Sequence, residues 1–314
     1  MQQRTLGRSG LKVSVIGLGC NNLGARIDDA AAKSVVHKAL DVGINFFDTA
    51  DHYGEQGGSE RVLGELLGAR RKDIVLATKF GLQMDDKGWL FGTSRRYVMS
   101  AVEASLKRLK TDYIDLYYLH RPDGITPIEE TLRALDDLVR QGKVRYVACS
   151  NLAAWEVVEA HWTAKSNGLN PFIAAQDELS LVVRDAEREL IPALEASDMS
   201  LVPYFPLASG LLTGKYKSRT DLPAGTRFAK IPRFADKYMT DANMRIVNRL
   251  EPYCKERGHT LTDLAFSWLQ SKPAVASVIA GASSGAQVEA NLKAAEWVLT
   301  KADLDEVDRL SKGN

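Results

Sequence analysis

Three short segments of the chain end in residues that exchange protons. Residues 45–48 read Asn45-Phe46-Phe47-Asp48, residues 75–79 read Val75-Leu76-Ala77-Thr78-Lys79, and residues 116–120 read Leu116-Tyr117-Tyr118-Leu119-His120. Period-two alternation puts Lys79 on the face of Val75 and Ala77, and His120 on the face of Leu116 and Tyr118. Asp48 and Lys79 can pair, which lets both be buried without an uncompensated charge. Tyr53 follows Asp48 by five positions, on the next loop and within reach of the pair. An ammonium beside a phenol favours phenolate and predicts a Tyr53 pKa below the ordinary value of about 10. A tyrosine so tuned is a general acid, worth roughly 10²–10⁴ in rate. His120 can hydrogen-bond the same oxygen. The set protonates an oxygen that is becoming an alkoxide. Lys79 is its one obvious nucleophile, so the electrons must come from another molecule.

Other polar residues close further apolar runs. Cys149-Ser150-Asn151 ends one, Gln176 lies in another and Tyr204 in a third. Tyr204 offers a flat face for a nicotinamide ring, with Ser150, Asn151 and Gln176 as partners for its carboxamide. The run from Gly17 to Gly24, containing Gly19, Cys20 and Asn21, is a loose dinucleotide fingerprint whose third glycine comes two residues late. Gly281-Ala282-Ser283-Ser284-Gly285 has the spacing of a nucleophile elbow. None of His37, His52, His120, His161 and His259 follows it, which excludes that chain order. What remains is a small-residue turn opening a helix, suited to phosphate. The segment "YFPLASGLLTGKY", ending near Lys215, can flank the other side of a dinucleotide. His52, Trp89 and Phe91 are candidate walls of a substrate pocket. No metal-ligand motif occurs, so none is expected to be bound.

Something must hold these residues at one rim. Short apolar, β-branched or aromatic runs at 13–19, 45–50, 74–80, 114–120, 144–150, 172–177, 201–205 and 276–280 read as strands. Helical patterns fall between or after them at 28–42, 59–67, 94–109, 127–140, 153–167, 185–197, 261–271 and 286–298. Gly43, Gly142 and Gly168 lie just past three of these, where a left-handed residue closes a helix. Eight alternating β/α units predict an α/β fold of the (β/α)8 TIM-barrel type. Residues 4–14 read as an N-terminal β-hairpin plugging the barrel bottom. Residues 208–257 read as a long loop after strand 7 with an extra helix, and 301–312 as an extra C-terminal helix.

The chain's 314 residues would suit two average domains of about 150. A barrel of about 250 residues with these additions makes residues 1–314 one domain. With 45 % hydrophobic and 26 % charged residues, the chain can bury a sizeable core. Its net charge of +1 excludes a global basic footprint for nucleic acid. Cys20, Cys149 and Cys254 form no CxxC pair, arguing against a disulfide framework and for a reducing, cytoplasmic setting. No apolar leader follows Met1. The uncharged stretches 199–214 and 273–288 are shorter than the roughly 20 residues that span a bilayer, and both read as dinucleotide straps.

Taken together, "DTADHYG" at 48–54, "TKFG" at 78–81, "YYLHRPD" at 117–123, "SN" at 150–151, "YFPLASGLLTGKY" at 204–216 and "VIAGASSGAQVEANL" at 278–292 resemble the aldo-keto reductase superfamily. The likeness is greatest to its bacterial general reductases and potassium-channel β-subunit group. The resemblance implies NADPH (NADP+ after reaction) extended across the barrel rim, with hydride passing to the carbonyl of a small aldehyde or ketone. By position, Tyr53 matches the family's acid, Asp48 and Lys79 its tuning pair, and His120 its substrate-orienting imidazole. Ser150, Asn151 and Gln176 match the carboxamide contacts and Tyr204 the stacking ring. Phe205, Pro206, Leu207, Ala208, Gly210 and Lys215 match the pyrophosphate strap, with Arg227 a further phosphate contact. Gly281, Ser283, Gln287 and Asn291 match the adenosine and 2′-phosphate site. Phe205 stands where a serine is usual, Ala280 where proline is common, and Ala290 where a glutamate often contacts adenine. Two other readings are open. One is an NADPH-binding regulatory subunit with vestigial turnover, the other a Schiff-base aldolase using Lys79.

Overall fold

Short strands that are apolar on both faces bury both, and a closed barrel does this without leaving an edge. A computed structural model describes residues 1–312. An antiparallel hairpin, β1 (Gln3–Thr5) and β2 (Lys12–Ser14), precedes eight parallel strands. These are β3 (Ile16–Gly19), β4 (Phe46–Asp48), β5 (Val75–Phe80), β6 (Ile114–Leu119), β7 (Val144–Ser150), β8 (Ala174–Gln176), β9 (Ser200–Leu201) and β10 (Val278–Gly281). Spatial order follows chain order, and β10 returns to pair with β3. The last seam closes through Leu201 N to Ala274 O (2.7 Å), Ala276 N to Leu201 O (3.0 Å) and Ile279 N to Pro203 O (3.0 Å).

Around the strands lie α1 (Asp29–Asp41), α2 (Tyr53–Leu67), α3 (Arg95–Leu109), α4 (Ile128–Arg140), α5 (Ala154–Ser166) and α6 (Leu190–Ala196). The excursion after β9 contains α7 (Arg227–Lys230), α8 (Pro232–Tyr238) and α9 (Asp241–Glu256), then the barrel helix α10 (Leu261–Gln270). Helices α11 (Gly285–Ala294) and α12 (Lys301–Ser311) follow β10. The fold is the expected (β/α)8 barrel with its N-terminal hairpin.

Two strand expectations change. The run 13–19 breaks after Ser14, whose backbone N–H donates to Asn45 Oδ1 (2.6 Å) and whose hydroxyl donates to Ile16 O (2.7 Å). Its first half belongs to the hairpin. Of the run 201–205 only Leu201 stays in a strand, as the end of β9, because Pro203 has no N–H for the ladder. The chain regains one bridge, between Tyr204 and Glu178. After β9 the excursion is more ordered than a loop. Tyr216 stacks on Phe228 with ring centroids 4.2 Å apart, and Phe228 in turn stacks on Tyr238.

The barrel interior is a compact apolar floor of Phe46, Val75, Ala77, Leu116, Tyr118, Ala148, Ala174, Val202, Ala276 and Ile279. Leu6 and Val13 of the hairpin join it from below, which makes the hairpin a plug. Two residues further along the same inward faces stand Asp48, Lys79, His120, Ser150 and Gln176, all buried. The sequence thus stacks an apolar layer beneath a polar one.

Candidate active site

The polar layer is organised by one buried ion pair. Lys79 Nζ donates to both Asp48 carboxylate oxygens and to Thr49 O, each at 2.8 Å. All three ammonium protons are engaged, and the side chain has no solvent exposure. Gln176 Nε2 also donates to Asp48 Oδ1 at 2.8 Å. Lys79 Nζ lies 5.0 Å from the Tyr53 ring centroid, and the His120 ring packs edge-on against Tyr53 at 5.7 Å. The four residues nominated for proton transfer therefore meet. Asp48, Tyr53 and His120 line a cavity of about 710 Å³, with Lys79 just beneath its floor.

The turn that presents Tyr53 is sterically demanding. Residues Gly54 to Gly57 all have positive φ before regular helix begins. At Gly54 (φ +68°) a Cβ would lie 2.5 Å from Ser59 N and 2.6 Å from Leu23 O, so no side chain fits.

Charge states follow from burial and neighbours. Burial raises the Tyr53 pKa; the Lys79 ammonium opposes this, and Asp48 acts against Lys79. The expected lowering is thus reversed, and Tyr53 stays protonated at neutral pH. Burial also disfavours the Lys79 charge, yet Asp48 and Tyr53 outweigh it and hold the ammonium above its usual pKa. For His120, burial first and then the Lys79, His52 and Arg121 charges push the imidazole well below its ordinary value. It is neutral near pH 7, and its Nδ1 is sealed without a partner.

A second wall runs from β7 to the excursion. Tyr204 donates its hydroxyl to Asn151 Oδ1 (2.9 Å), and Asn151 Nδ2 donates to His120 O (3.0 Å) and Ser150 Oγ (2.9 Å). Ser150 Oγ donates to Gln176 O at 2.8 Å. Phe205, Ala208 and Ser209 all take positive φ, so the segment turns sharply over the cavity. Opposite it, Ser284 caps α11 by accepting from Gln287 N, while Gln287 Oε1 accepts from Ser283 N and Oγ. Asn291 Nδ2 donates to Gly281 O at 3.3 Å.

Gly19, Cys20, Asn21, Ser150, Asn151, Gln176, Tyr204, Phe205, Pro206, Leu207, Gly210, Lys215, Arg227, Gly281, Ser283, Gln287 and Asn291 all line the cavity. Ala208 does not; it is buried behind the strap, and Ser209 faces the space instead. His52, Trp89 and Phe91 also lie outside the cavity wall. His52 is exposed with Nδ1 against Gln83 O, and Trp89 is 79 % exposed. Sequence reasoning missed Asn22, Arg26, Arg121 and Lys230, which line the cavity. Arg121 had a signal, since it follows His120 directly. Arg26 and Lys230 had none, because only folding brings α7 against the β3–α1 loop.

Arg26 and Arg227 both reach Asn22 Oδ1 at 3.5 Å. Burial and the charge of Arg26 lower the Arg227 pKa. Neither these two nor Lys215 and Lys230 has a carboxylate partner among the described residues. Like charges held together in this way favour an anion between them.

Behind β5, on the face opposite Lys79, lies a second polar cluster. Thr78 Oγ1 donates to Glu60 Oε1 (2.5 Å) and Arg108 Nε to Glu60 Oε2 (2.6 Å). Asp51 is buried beside them, its N–H on Lys79 O (3.1 Å) and its Oδ2 accepting from Tyr97 OH (3.3 Å).

Among the described residues, no helix is long and apolar enough to cross a membrane, and no three His, Cys, Asp or Glu residues gather as metal ligands. The sequence profile of the Aldo/keto reductase family matches residues 15–312. A probable voltage-gated potassium channel subunit beta of Arabidopsis thaliana is 38 % identical, across 99 % of this chain and 96 % of its own length. An uncharacterized oxidoreductase of Bacillus subtilis is 35 % identical, across 96 % and 93 %. The L-glyceraldehyde 3-phosphate reductase of Escherichia coli K12 is 33 % identical, across 94 % and 87 %. Profile and relatives agree with the barrel: the chain is an oxidoreductase of the aldo/keto reductase family.

Proposed function

We propose that the protein reduces an aldehyde or ketone to the alcohol with NADPH, using Tyr53 as general acid. One observation carries the reading: the Tyr53 phenol stands over the buried Lys79–Asp48 pair, beside the His120 imidazole, at the floor of a cavity.

The cavity's residues fit a phosphorylated dinucleotide. Arg26, Lys215, Arg227 and Lys230 supply positive charge that no nearby carboxylate neutralises, and Asn151, Gln176 and Tyr204 supply a polar and aromatic wall. Arg26 and Arg227 support NADPH over NADH, since the extra phosphate rewards additional cations. When bound, the nicotinamide supplies a hydride to the carbonyl carbon. Tyr53 donates its phenolic proton to the carbonyl oxygen. Lys79 stabilises the phenolate left behind, and Asp48 keeps that ammonium charged and in place. His120 donates its one N–H to the same oxygen, adding orientation without a competing charge.

A regulatory reading is favoured by the plant relatives, which are named as channel subunits. It predicts at most one slow turnover of bound NADPH. The aldolase reading requires a free amine, whereas Lys79 has all three protons bonded and no access to solvent. The test is steady-state NADPH oxidation with 4-nitrobenzaldehyde, with the alcohol identified as product. Many turnovers per enzyme support the reductase; a single turnover for every carbonyl tried supports the regulatory subunit.

A further inference from the structure

The polar cluster behind β5 is unused by this chemistry, yet it holds the turn that presents Tyr53. Asp51 lies three residues after Asp48 and two before Tyr53. Its backbone N–H donates to the carbonyl of Lys79, so it ties the turn to the strand that carries the ion pair. Its side chain points to the other side of the sheet and is 1 % exposed. Oδ2 has a long hydrogen bond from Tyr97, and Oδ1 is buried with no partner at all.

Every charged or titratable group around it bears on its protonation. From α2 comes Glu60, fully buried and paired with Arg108. From α3 come Tyr97 and Arg108, and Arg108 already holds Glu60. Tyr117 of β6 presents a buried hydroxyl without a partner, and Asp85 lies beyond Tyr97. On its own turn, His52 is exposed, and its backbone N–H dipole favours the Asp51 carboxylate. One arginine thus faces two buried carboxyl groups. Ionising both leaves a net negative charge with an unsatisfied oxygen in a closed space, so the arrangement favours a proton on Asp51.

We propose that Asp51 is a positioning residue: as the neutral carboxylic acid it pins the turn that presents Tyr53, and loss of its proton loosens that turn and slows proton donation. Burial first, then Glu60, pushes the Asp51 carboxyl up to about 8, against the pull of Arg108, the His52 N–H and Tyr97. Tyr53 and Lys79 are raised from ordinary values that are already higher, and His120 is pushed well below its own, which sets their titrations apart from that of Asp51.

The kinetic half of the test rests on the proposed reductase activity; its companion does not. Wild-type kcat for carbonyl reduction is expected to fall about tenfold per pH unit above an apparent pKa near 8, with KM little changed. Asp51→Asn, the same shape without the proton, is expected to abolish that fall and hold the neutral-pH kcat through the alkaline range. Hydrogen exchange at the amides of residues 53–57 supplies the second readout. Exchange, corrected for intrinsic pH dependence, should accelerate above the same pH in wild type and not in Asp51→Asn. An alkaline fall that persists in Asp51→Asn, or exchange that ignores the substitution, would overturn the proposal. If no carbonyl is reduced at any pH but the exchange transition is present and lost in Asp51→Asn, the reductase reading fails and the role of Asp51 stands.

Discussion

Lys79 is the residue on which the centre depends most. It is buried and bonded to Asp48 and Thr49, and in the proposed reaction its value lies in holding a positive potential under Tyr53. Replacing it by Met removes that potential and strands a buried carboxylate. Breaking one half of a buried pair typically costs about 3–5 kcal/mol. Lys79→Met should therefore lose stability of that order in denaturant titration, together with nearly all reductase activity. Activity retained in a destabilised but folded variant would contradict the tuning role. At this scale the sequence was legible for identity and not for energetics. Period-two alternation was enough to bring Asp48, Lys79 and His120 to one rim. The direction of the Tyr53 pKa was not readable, because it depends on burial outweighing the pull of the Lys79 ammonium, which Asp48 opposes.

Elements hold the rim in place. The loops after β5 and β6 are joined by Asp123, which accepts from Thr93 N (2.8 Å), Thr126 N (2.8 Å) and Ile125 N (2.9 Å) and from both threonine hydroxyls. Burial works against its charge, but these bonds outweigh it and hold the carboxyl below its ordinary range. A depressed carboxyl contributes stability above the unfolded pKa of about 3.9 and loses it as pH falls through the lower folded value. Asp123→Ala should lower thermal stability at neutral pH by roughly 1–2 kcal/mol. The gap from wild type should shrink in acid, as a pH series of melting curves would register. On the cofactor side, Arg227→Ala should raise KM for NADPH at least about tenfold and leave KM for NADH nearly unchanged. Equal effects on both cofactors would remove Arg227 from the 2′-phosphate site. The strap residues were legible in sequence as a small-residue, uncharged run. The partnership of Arg26 with Arg227 was not, since 201 positions separate them and α7 has only four residues.

The whole molecule separates stability from chemistry. The apolar floor and hairpin plug lie at one end of the barrel, and the proton-transfer set at the other. Leu6 is fully buried among floor residues and does not itself line the cavity. Leu6→Ala should cost about 2–5 kcal/mol of stability with kcat unchanged at temperatures where the protein stays folded. A large loss of kcat there would mean that floor and rim are coupled. The barrel itself was readable from eight alternating units and the hairpin from its glycines. Strand ends were less so, because Ser14 and Pro203 interrupt ladders through side-chain bonding and a missing N–H. In the excursion after β9 the helix α9 carries a periodic signal, with Ile246, Val247, Leu250 and Tyr253 buried on one face, but the segment before it is organised by an aromatic stack that has no such period. In the proposed reaction Tyr53 gives the proton while other residues hold NADPH. This is tested most directly by measuring NADPH affinity and carbonyl-reduction kcat side by side in wild type and Tyr53→Phe. The prediction is unchanged affinity with kcat lower by about 10²–10⁴. A Tyr53→Phe enzyme that binds NADPH and turns over at the wild-type rate would contradict it.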